Sequence, residues 1–112
     1  MSDCIFCKLA NGEIPTDMVC QNELAAAFRD ASPQAPVHVL VVPKAHYANI
    51  TDGVPAETLA AMVELVGEVA RREGLDETGF RTIMNTGADA GQTVMHLHMH
   101  VLGGTRMGEG LL

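Results

Sequence analysis

The chain has 112 residues, 47% of them hydrophobic, and a formal net charge of −7 at pH 7. This length predicts one domain over residues 1–112, with enough apolar side chains for a core. The acidic balance argues against binding to nucleic acid, and no apolar run approaches the about 18 residues that a membrane-spanning helix needs.

The order of apolar and turn-forming residues predicts an α+β fold: a five-stranded antiparallel sheet with a short N-terminal helix and one long helix. The short helix spans residues 4–11 and ends at Asn11-Gly12. Strands are predicted at residues 17–21, 24–30, 37–42, 80–85 and 96–102. The long helix is predicted at residues 55–73, where apolar residues recur at three- and four-residue steps: Leu59, Met62, Val63, Val66, Val69 and Ala70.

Three of the five histidines alternate with apolar residues in His96-Leu97-His98-Met99-His100. In a strand, the three imidazoles would line one face about 6–7 Å apart, with the apolar residues packed behind them. Three interpretations are open. The histidines are a solvated strand face, or they bind a metal through His-x-His, or one neutral imidazole attacks an electrophile while its neighbours stabilise the developing charge.

The loop before the predicted last strand favours nucleophilic chemistry. Asn85, Gln92 and Thr93 offer amide and hydroxyl groups. Gly87 and Gly91 permit backbone conformations that other residues resist. The loop can therefore direct hydrogen-bond donors at an oxyanion next to the histidines.

Gly91-Gln92-Thr93-Val94 followed by the three alternating histidines resembles the histidine triad (HIT) superfamily. The resemblance extends over nearly the whole chain through residues 4–8, 12–15, 28–38, 42–46 and 101–104. Residues 32–36 and the pair Gly103-Gly104 are most similar to the HINT branch, whose members resemble nucleoside phosphoramidases. Gln92-Thr93 also fits the fragile-histidine-triad branch, which cleaves dinucleoside polyphosphates.

The resemblance implies a reaction at the α-phosphate of purine nucleoside phosphoramidates or related nucleotide conjugates. His98 would attack the phosphorus and form a covalent nucleotidyl-histidine, which water then hydrolyses. His100 and Thr93 would hold phosphate oxygens, Thr93 would assist the leaving amine, and His38 would support His100. No organic cofactor is expected, because the imidazole itself carries the nucleotide.

The resemblance also implies a nucleotide pocket. Asp30 would accept hydrogen bonds from both ribose hydroxyls, since a carboxylate offers two acceptor oxygens. The expected base slot is apolar and comprises Phe6, Leu9, Ile14, Phe28 and Ala31. The expected polar contacts come from Asn85, Gln92, Thr93, His98 and His100. Met95 and Met107 are candidates for pocket walls.

Cys4-x-x-Cys7 supplies two thiols, which do not complete a tetrahedral zinc site on their own. The resemblance implies that His46 and His96 complete a structural Zn²⁺ site, which would leave His98 available to attack. The alternative is two thiols without a metal. Cys20 is expected in the core, and three cysteines without a disulfide framework suit a reducing compartment, the cytoplasm.

The resemblance implies a homodimer, with two sheets joined edge to edge and the long helices in contact. One departure from the HINT branch is visible after Gly103-Gly104, where the chain has no Trp-Pro-Pro-Gly-like segment and no Trp at all. Two other classes of function stay open. One is a metal-dependent hydrolase or metal buffer with the three histidines on one ion, and the other is a non-catalytic zinc- or nucleotide-binding protein.

Overall fold

Five antiparallel strands form one sheet in the order β1-β2-β3-β5-β4. The structure is a computed structural model and describes residues 3–110, so the ends of the predicted 1–112 domain, residues 1–2 and 111–112, lie outside the described residues. The elements are α1 Ile5–Ala10, β1 Met18–Gln21, β2 Ala25–Arg29, β3 Val37–Pro43, α2 Ala56–Arg72, β4 Arg81–Ile83 and β5 Met99–Gly103. The predicted fold class is confirmed, and each predicted element is present with shifted ends.

The sheet carries a separate hydrophobic cluster on each face, because side chains of β3 alternate between the two. Val39 and Val41 pack with α2 and with Leu97, Met99 and Val101. Leu40 and Val42 pack on the other face with α1. The apolar residues between the histidines therefore lie in the α2 core, as predicted.

The predicted apolar stripe of α2 includes one exposed residue and omits one buried residue. Met62 and Val69 are fully buried, whereas Val63 is 61% exposed. Leu65, which the pattern did not include, is buried in its place. Within residues 3–110, no helix is both long enough and apolar enough to cross a membrane.

The last strand begins later than the prediction of residues 96–102. β3 and β5 pair from Val37↔Gly103 to Val41↔Met99, and the ladder stops there. Pro43, two positions further along β3, has no N–H to donate. The Pro43 carbonyl instead accepts a hydrogen bond from the side chain of His96 at 2.8 Å, and the Leu97 N–H donates to Tyr47 in the preceding loop at 2.6 Å. His96 and His98 consequently precede β5, and only His100 belongs to it.

Candidate active site and metal centre

His98 is buried and has one of its ring nitrogens fixed by the backbone. Its Nδ1 lies 2.7 Å from the carbonyl oxygen of His96. A carbonyl can only accept, so Nδ1 carries the proton and the lone pair of the neutral ring is on Nε2. In this tautomer, Nε2 is the ring nitrogen of His98 that could attack an electrophile.

His100 is held by a chain of hydrogen bonds that begins in the loop after β2. The Gln34 N–H donates to Nδ1 of His38 at 3.0 Å, which places the proton of neutral His38 on Nε2. This Nε2–H points at Nδ1 of His100, 2.8 Å away. His100 then accepts at Nδ1 and keeps a proton on Nε2. Its ring lies next to that of His98, with centroids 5.1 Å apart, so a hydrogen-bond donor lies beside His98.

Burial favours the neutral forms of His38 and His100. It lowers the pKa of His38 and of His100, and the neighbouring His98 and His38 rings lower the pKa of His100 further. The carboxylate of Asp30 opposes both shifts, and its Oδ2 is 3.4 Å from Nε2 of His38. The neutral His38–His100 pair therefore places an N–H donor beside His98.

The loop before β5 has the predicted glycine conformations but uses Gln92 differently. Gly87 and Gly91 adopt positive φ angles of 83° and 81°. Gln92 is only 7% exposed. Its Oε1 accepts the Gly87 N–H at 2.9 Å, and its Nε2 donates to the carbonyls of Ala48 at 2.7 Å and Val94 at 3.0 Å. Its hydrogen-bonding groups are thus engaged by the backbone, and we propose that the side chain shapes the loop rather than contacting a nucleotide. Thr93, next to Gln92, is exposed, and Asn85 is half-buried.

The residues expected to bind a nucleoside are only partly brought together. Phe6, Leu9 and Phe28 belong to the cluster under α1, and the rings of Phe6 and Phe28 meet edge-on with centroids 5.8 Å apart. The Phe6 ring also lies edge-on to His98, 5.0 Å between centroids. Ile14 is half-buried and Ala31 is exposed, both outside this cluster. Asp30 follows β2 directly and its Oδ1 accepts the Ser32 N–H at 2.7 Å.

Four side chains converge at the end of α1 in a manner that fits zinc. The ligand atoms of Cys4, Cys7, His46 and His96 all lie within 4.8 Å of one another. Nδ1 of His96 is 3.2 Å from Sγ of Cys4 and 3.4 Å from Sγ of Cys7, and Nδ1 of His46 is 3.3 Å from Sγ of Cys7. Tetrahedral zinc with ordinary bond lengths separates sulfur and nitrogen ligands by about 3.5 Å. Because Nε2 of His96 donates to Pro43, its Nδ1 lone pair faces the thiols, as a ligand requires.

The second convergent group, Asp30, His38 and His100, does not fit a metal. Binding through Nε2 of His38 would require a proton on its Nδ1, where the Gln34 N–H already donates. Within residues 3–110, no group of converging ligand atoms contains all three triad histidines. The geometry therefore disfavours a hydrolase or metal buffer that holds one ion on His96, His98 and His100. Two backbone groups also hold histidine rings in place: the Pro43 carbonyl accepts from His96, and the Gln34 N–H donates to His38. Neither contact was predicted from the sequence.

Comparison with known proteins gives the family. The family described as HIT domain matches residues 11–107. The purine nucleoside phosphoramidase of Escherichia coli K12 is 46% identical over 110 residues, which cover 96% of this chain and 92% of that protein. A HIT family hydrolase from Clostridium thermocellum superposes with a TM-score of 0.93 at 41% identity, covering 100% of this chain and 99% of that one. A histidine triad protein from Clostridium difficile superposes with a TM-score of 0.91 at 43% identity over 99% and 98% of the two chains. The chain therefore belongs to the HIT family.

Proposed function

We propose that this HIT-family hydrolase cleaves purine nucleoside phosphoramidates or related nucleotide conjugates through a nucleotidyl-His98 intermediate. The observation that carries the proposal is the fixed lone pair on Nε2 of His98, set by the His96 carbonyl and placed beside the donor His100. The name of the Escherichia coli relative, purine nucleoside phosphoramidase, supports the same substrate class.

The proposed reaction has two steps. In the first, Nε2 of His98 forms a bond to the α-phosphorus, and the phosphorus–nitrogen bond of the substrate breaks. The departing amine takes a proton from solvent, for which the exposed Thr93 hydroxyl is the proposed relay. In the second, water attacks the phosphorus and releases a proton to solvent, the bond to His98 breaks, and the nucleoside monophosphate leaves. Nε2–H of His100 stabilises charge on the phosphate oxygens in both steps.

The rest of the proposed pocket follows the resemblance. Asp30 accepts hydrogen bonds from the ribose hydroxyls through Oδ2, since Oδ1 already accepts the Ser32 N–H. Phe6, Leu9 and Phe28 offer the apolar surface for the base. Asn85 and Thr93 complete the contacts to phosphate.

We also propose that Cys4, Cys7, His46 and His96 hold a structural Zn²⁺, for which their donor chemistry is suitable. Bound zinc would tie α1 to the segment before β5 and supply no step of the reaction. The tie bears on catalysis because Phe6 lies between the two cysteines in sequence and contacts His98 edge-on. His96 likewise offers a ring nitrogen to the metal and a carbonyl to the nucleophile.

We also propose a cytoplasmic location and a homodimer. β4 is an edge of the sheet. Exposed apolar side chains flank this edge and α2, with Phe80 41% and Val63 61% exposed. Such side chains support a protein contact there.

Intact-mass analysis after rapid mixing with an adenosine phosphoramidate tests the mechanism. We expect wild-type protein to gain the mass of one adenylyl group and His98→Gly to gain none. The same variant should lose several orders of magnitude in turnover and keep its fold and AMP binding. Asp52→Asn, an exposed substitution in the loop before α2, is the matched control. Turnover by His98→Gly within about tenfold of wild type would refute His98 as the nucleophile.

A further inference from the structure

The thiols of Cys4 and Cys7 are placed to react with each other. Cys4 precedes α1 as its N-cap, and the Cys7 N–H donates to Sγ of Cys4 at 3.3 Å. Both sulfur atoms lie near Nδ1 of His96, and they are within 4.8 Å of each other. Residues three apart across a helical turn have Cα atoms about 5 Å apart, inside the range of about 4.4–6.8 Å that a disulfide needs. Because the backbone of Cys4 is extended and outside the helix, side-chain rotation and a small shift at that residue can join the sulfurs.

The thiol pair is open to small oxidants, unlike the third cysteine. Cys4 and Cys7 are half-buried, and the neighbouring His46 is exposed, with its Nδ1 3.3 Å from Sγ of Cys7. Cys20 is buried in the core, where burial raises the pKa of its thiol. An oxidant must reach the sulfur and reacts with its thiolate form. The pair is therefore more susceptible to oxidation than Cys20.

The start of α1 is linked to the proposed nucleophile through packing. The Phe6 ring, between the two cysteines in sequence, lies edge-on to the rings of His96 and His98, with centroids 6.1 and 5.0 Å apart. The other end of α1 is fixed, because the Asn11 side chain donates to the Lys44 carbonyl at 3.0 Å. A displacement of the thiols is therefore taken up at the start of the helix, next to the Phe6 ring.

We propose that Cys4 and Cys7 form a reversible oxidation site, at which a hydroperoxide joins the two thiols in a disulfide, releases the zinc and lowers turnover at His98. The inference rests on the proposed function, both for the bound zinc and for the reaction at His98. With hydrogen peroxide, one sulfur takes an oxygen atom and becomes a sulfenic acid, and one water leaves. The second sulfur then displaces that oxygen as another water and forms the S–S bond. The cysteines lose two electrons, and solvent supplies the protons where zinc holds both sulfurs as thiolates.

The disulfide and the zinc exclude each other. Zinc binds the thiolate form of cysteine, and oxidation removes both thiolates at once. His46 and His96 remain as ligands, but two ligands do not complete a tetrahedral site. Nδ1 of His96 then loses its contacts with the thiols and the metal. Reduction by a dithiol restores the thiol pair, and with it the zinc site.

Titration of the zinc-loaded full chain with hydrogen peroxide tests the inference. Released zinc is read with a metal-sensitive dye, remaining thiols by alkylation after denaturation, and turnover with an adenosine phosphoramidate. Trypsin cleaves after Lys8, so residues 1–8 form one peptide that holds both cysteines, and the disulfide appears as its loss of two hydrogens.

We expect the three thiols of the chain to fall to one, that of Cys20, as zinc is released. Turnover should fall at least about tenfold, since a displacement of about 1 Å in an active site is enough for such a loss. Dithiothreitol followed by zinc should restore turnover. Peroxide also oxidises methionine, but methionine sulfoxide needs dedicated reductases, so recovery with dithiothreitol assigns the effect to the cysteines.

Two variants isolate the thiol pair. Cys7→His keeps a zinc ligand at this position and cannot form the disulfide, so peroxide should leave its zinc and its own turnover unchanged. Cys20→Ser is the matched control, because it removes a cysteine outside the pair, and it should respond to peroxide as the wild type does. If Cys7→His does not fold, the peptide, zinc and turnover measurements on the wild type decide the question.

The outcomes separate the inference from the function on which it rests. A reversible link between Cys4 and Cys7, with zinc released and turnover lowered, supports the inference. It is wrong if the pair links between chains, proceeds to sulfinic acid, or stays reduced while Cys20 is oxidised. It is also wrong if the disulfide forms and zinc stays bound or turnover is unchanged. Reduced protein that binds no zinc, or that hydrolyses no phosphoramidate, contradicts the proposed function before any peroxide is added, and the inference then fails with it.

Discussion

Replacing Gln92 with alanine tests whether this side chain shapes the loop before β5 or contacts the nucleotide. The substitution removes three hydrogen bonds at once, to the Gly87 N–H and to the carbonyls of Ala48 and Val94. Each intramolecular hydrogen bond contributes about 0.5–1.5 kcal/mol. Because the three backbone partners are half-buried and regain some contact with water, we expect a loss of about 2–3 kcal/mol in the free energy of unfolding. In a domain of this size, that lowers Tm by roughly 8–12 °C.

Urea unfolding measures the free energy, and isothermal titration with AMP measures the pocket. Gln92→Glu keeps the acceptor for Gly87 but turns a carboxylate towards two carbonyls, so it should destabilise the fold at least as much. The matched control is Thr93→Val, because Thr93 is the adjacent residue and is exposed. This control should change the free energy of unfolding by less than about 0.5 kcal/mol and reduce turnover.

The opposite pattern would refute the structural role. If Gln92→Ala unfolds within about 0.5 kcal/mol of wild type and loses affinity for AMP, the side chain contacts the nucleotide, as the sequence suggested. We expect Gln92→Ala to lose both stability and turnover. At a temperature low enough for this variant to be folded, it should bind AMP as the wild type does.

Three other measurements test the remaining assignments. AMP should bind about ten- to a hundredfold more tightly than 2′-deoxy-AMP, and Asp30→Ala should remove most of that difference; equal wild-type affinities in titration calorimetry would exclude Asp30 as the ribose contact. Purified protein reconstituted with zinc should hold one ion per chain by elemental analysis, and Cys4→Ala with Cys7→Ala should lose both the metal and its stabilisation; no retained zinc in the wild type would refute the site. Burial lowers the pKa of His38 and His100, so the folded state binds fewer protons than the unfolded state, whose histidines titrate near pH 6.5. Their contribution to stability should be complete above about pH 6.5 and decline below it. Urea unfolding at a series of pH values measures this decline. If the free energy of unfolding of His38→Gln depends on pH as strongly as that of the wild type, burial of His38 is not the cause.

The elements that the sequence predicted well are those whose signals are local. The stripe on α2 identifies a helix because Met62, Val66 and Val69 meet one face of a 3.6-residue repeat. Val63 adjoins that stripe in sequence, yet its side chain is 61% exposed. Apolar character alone does not tell which neighbour faces the sheet, and this choice depends on how α2 crosses the strands.

The errors at the candidate site share a different cause. The alternation of residues 96–102 predicted a continuous strand, but a strand needs a partner along its full length. That partner ends at Pro43, some fifty positions earlier in the chain, and no local pattern links the two segments. The hydrogen bonds of Gln92 could not be predicted for the same reason, since Ala48 is one of its partners and becomes a neighbour only in the folded chain. The identity of the family was accessible because the motif itself, with its order and spacing, is local.

The three triad histidines have the same side chain and differ only in what holds one of their nitrogens. The Pro43 carbonyl takes Nε2–H of His96 and leaves Nδ1 for the thiol cluster. The His96 carbonyl takes Nδ1–H of His98 and leaves Nε2 with a lone pair. Nε2–H of His38 occupies Nδ1 of His100 and leaves a donor on its other nitrogen. The proposed metal ligand, nucleophile and donor thus differ in their hydrogen-bond partners and not in residue type. The first two of these assignments use backbone carbonyls, those of Pro43 and His96, that lie beyond the last β3–β5 pair, Val41↔Met99.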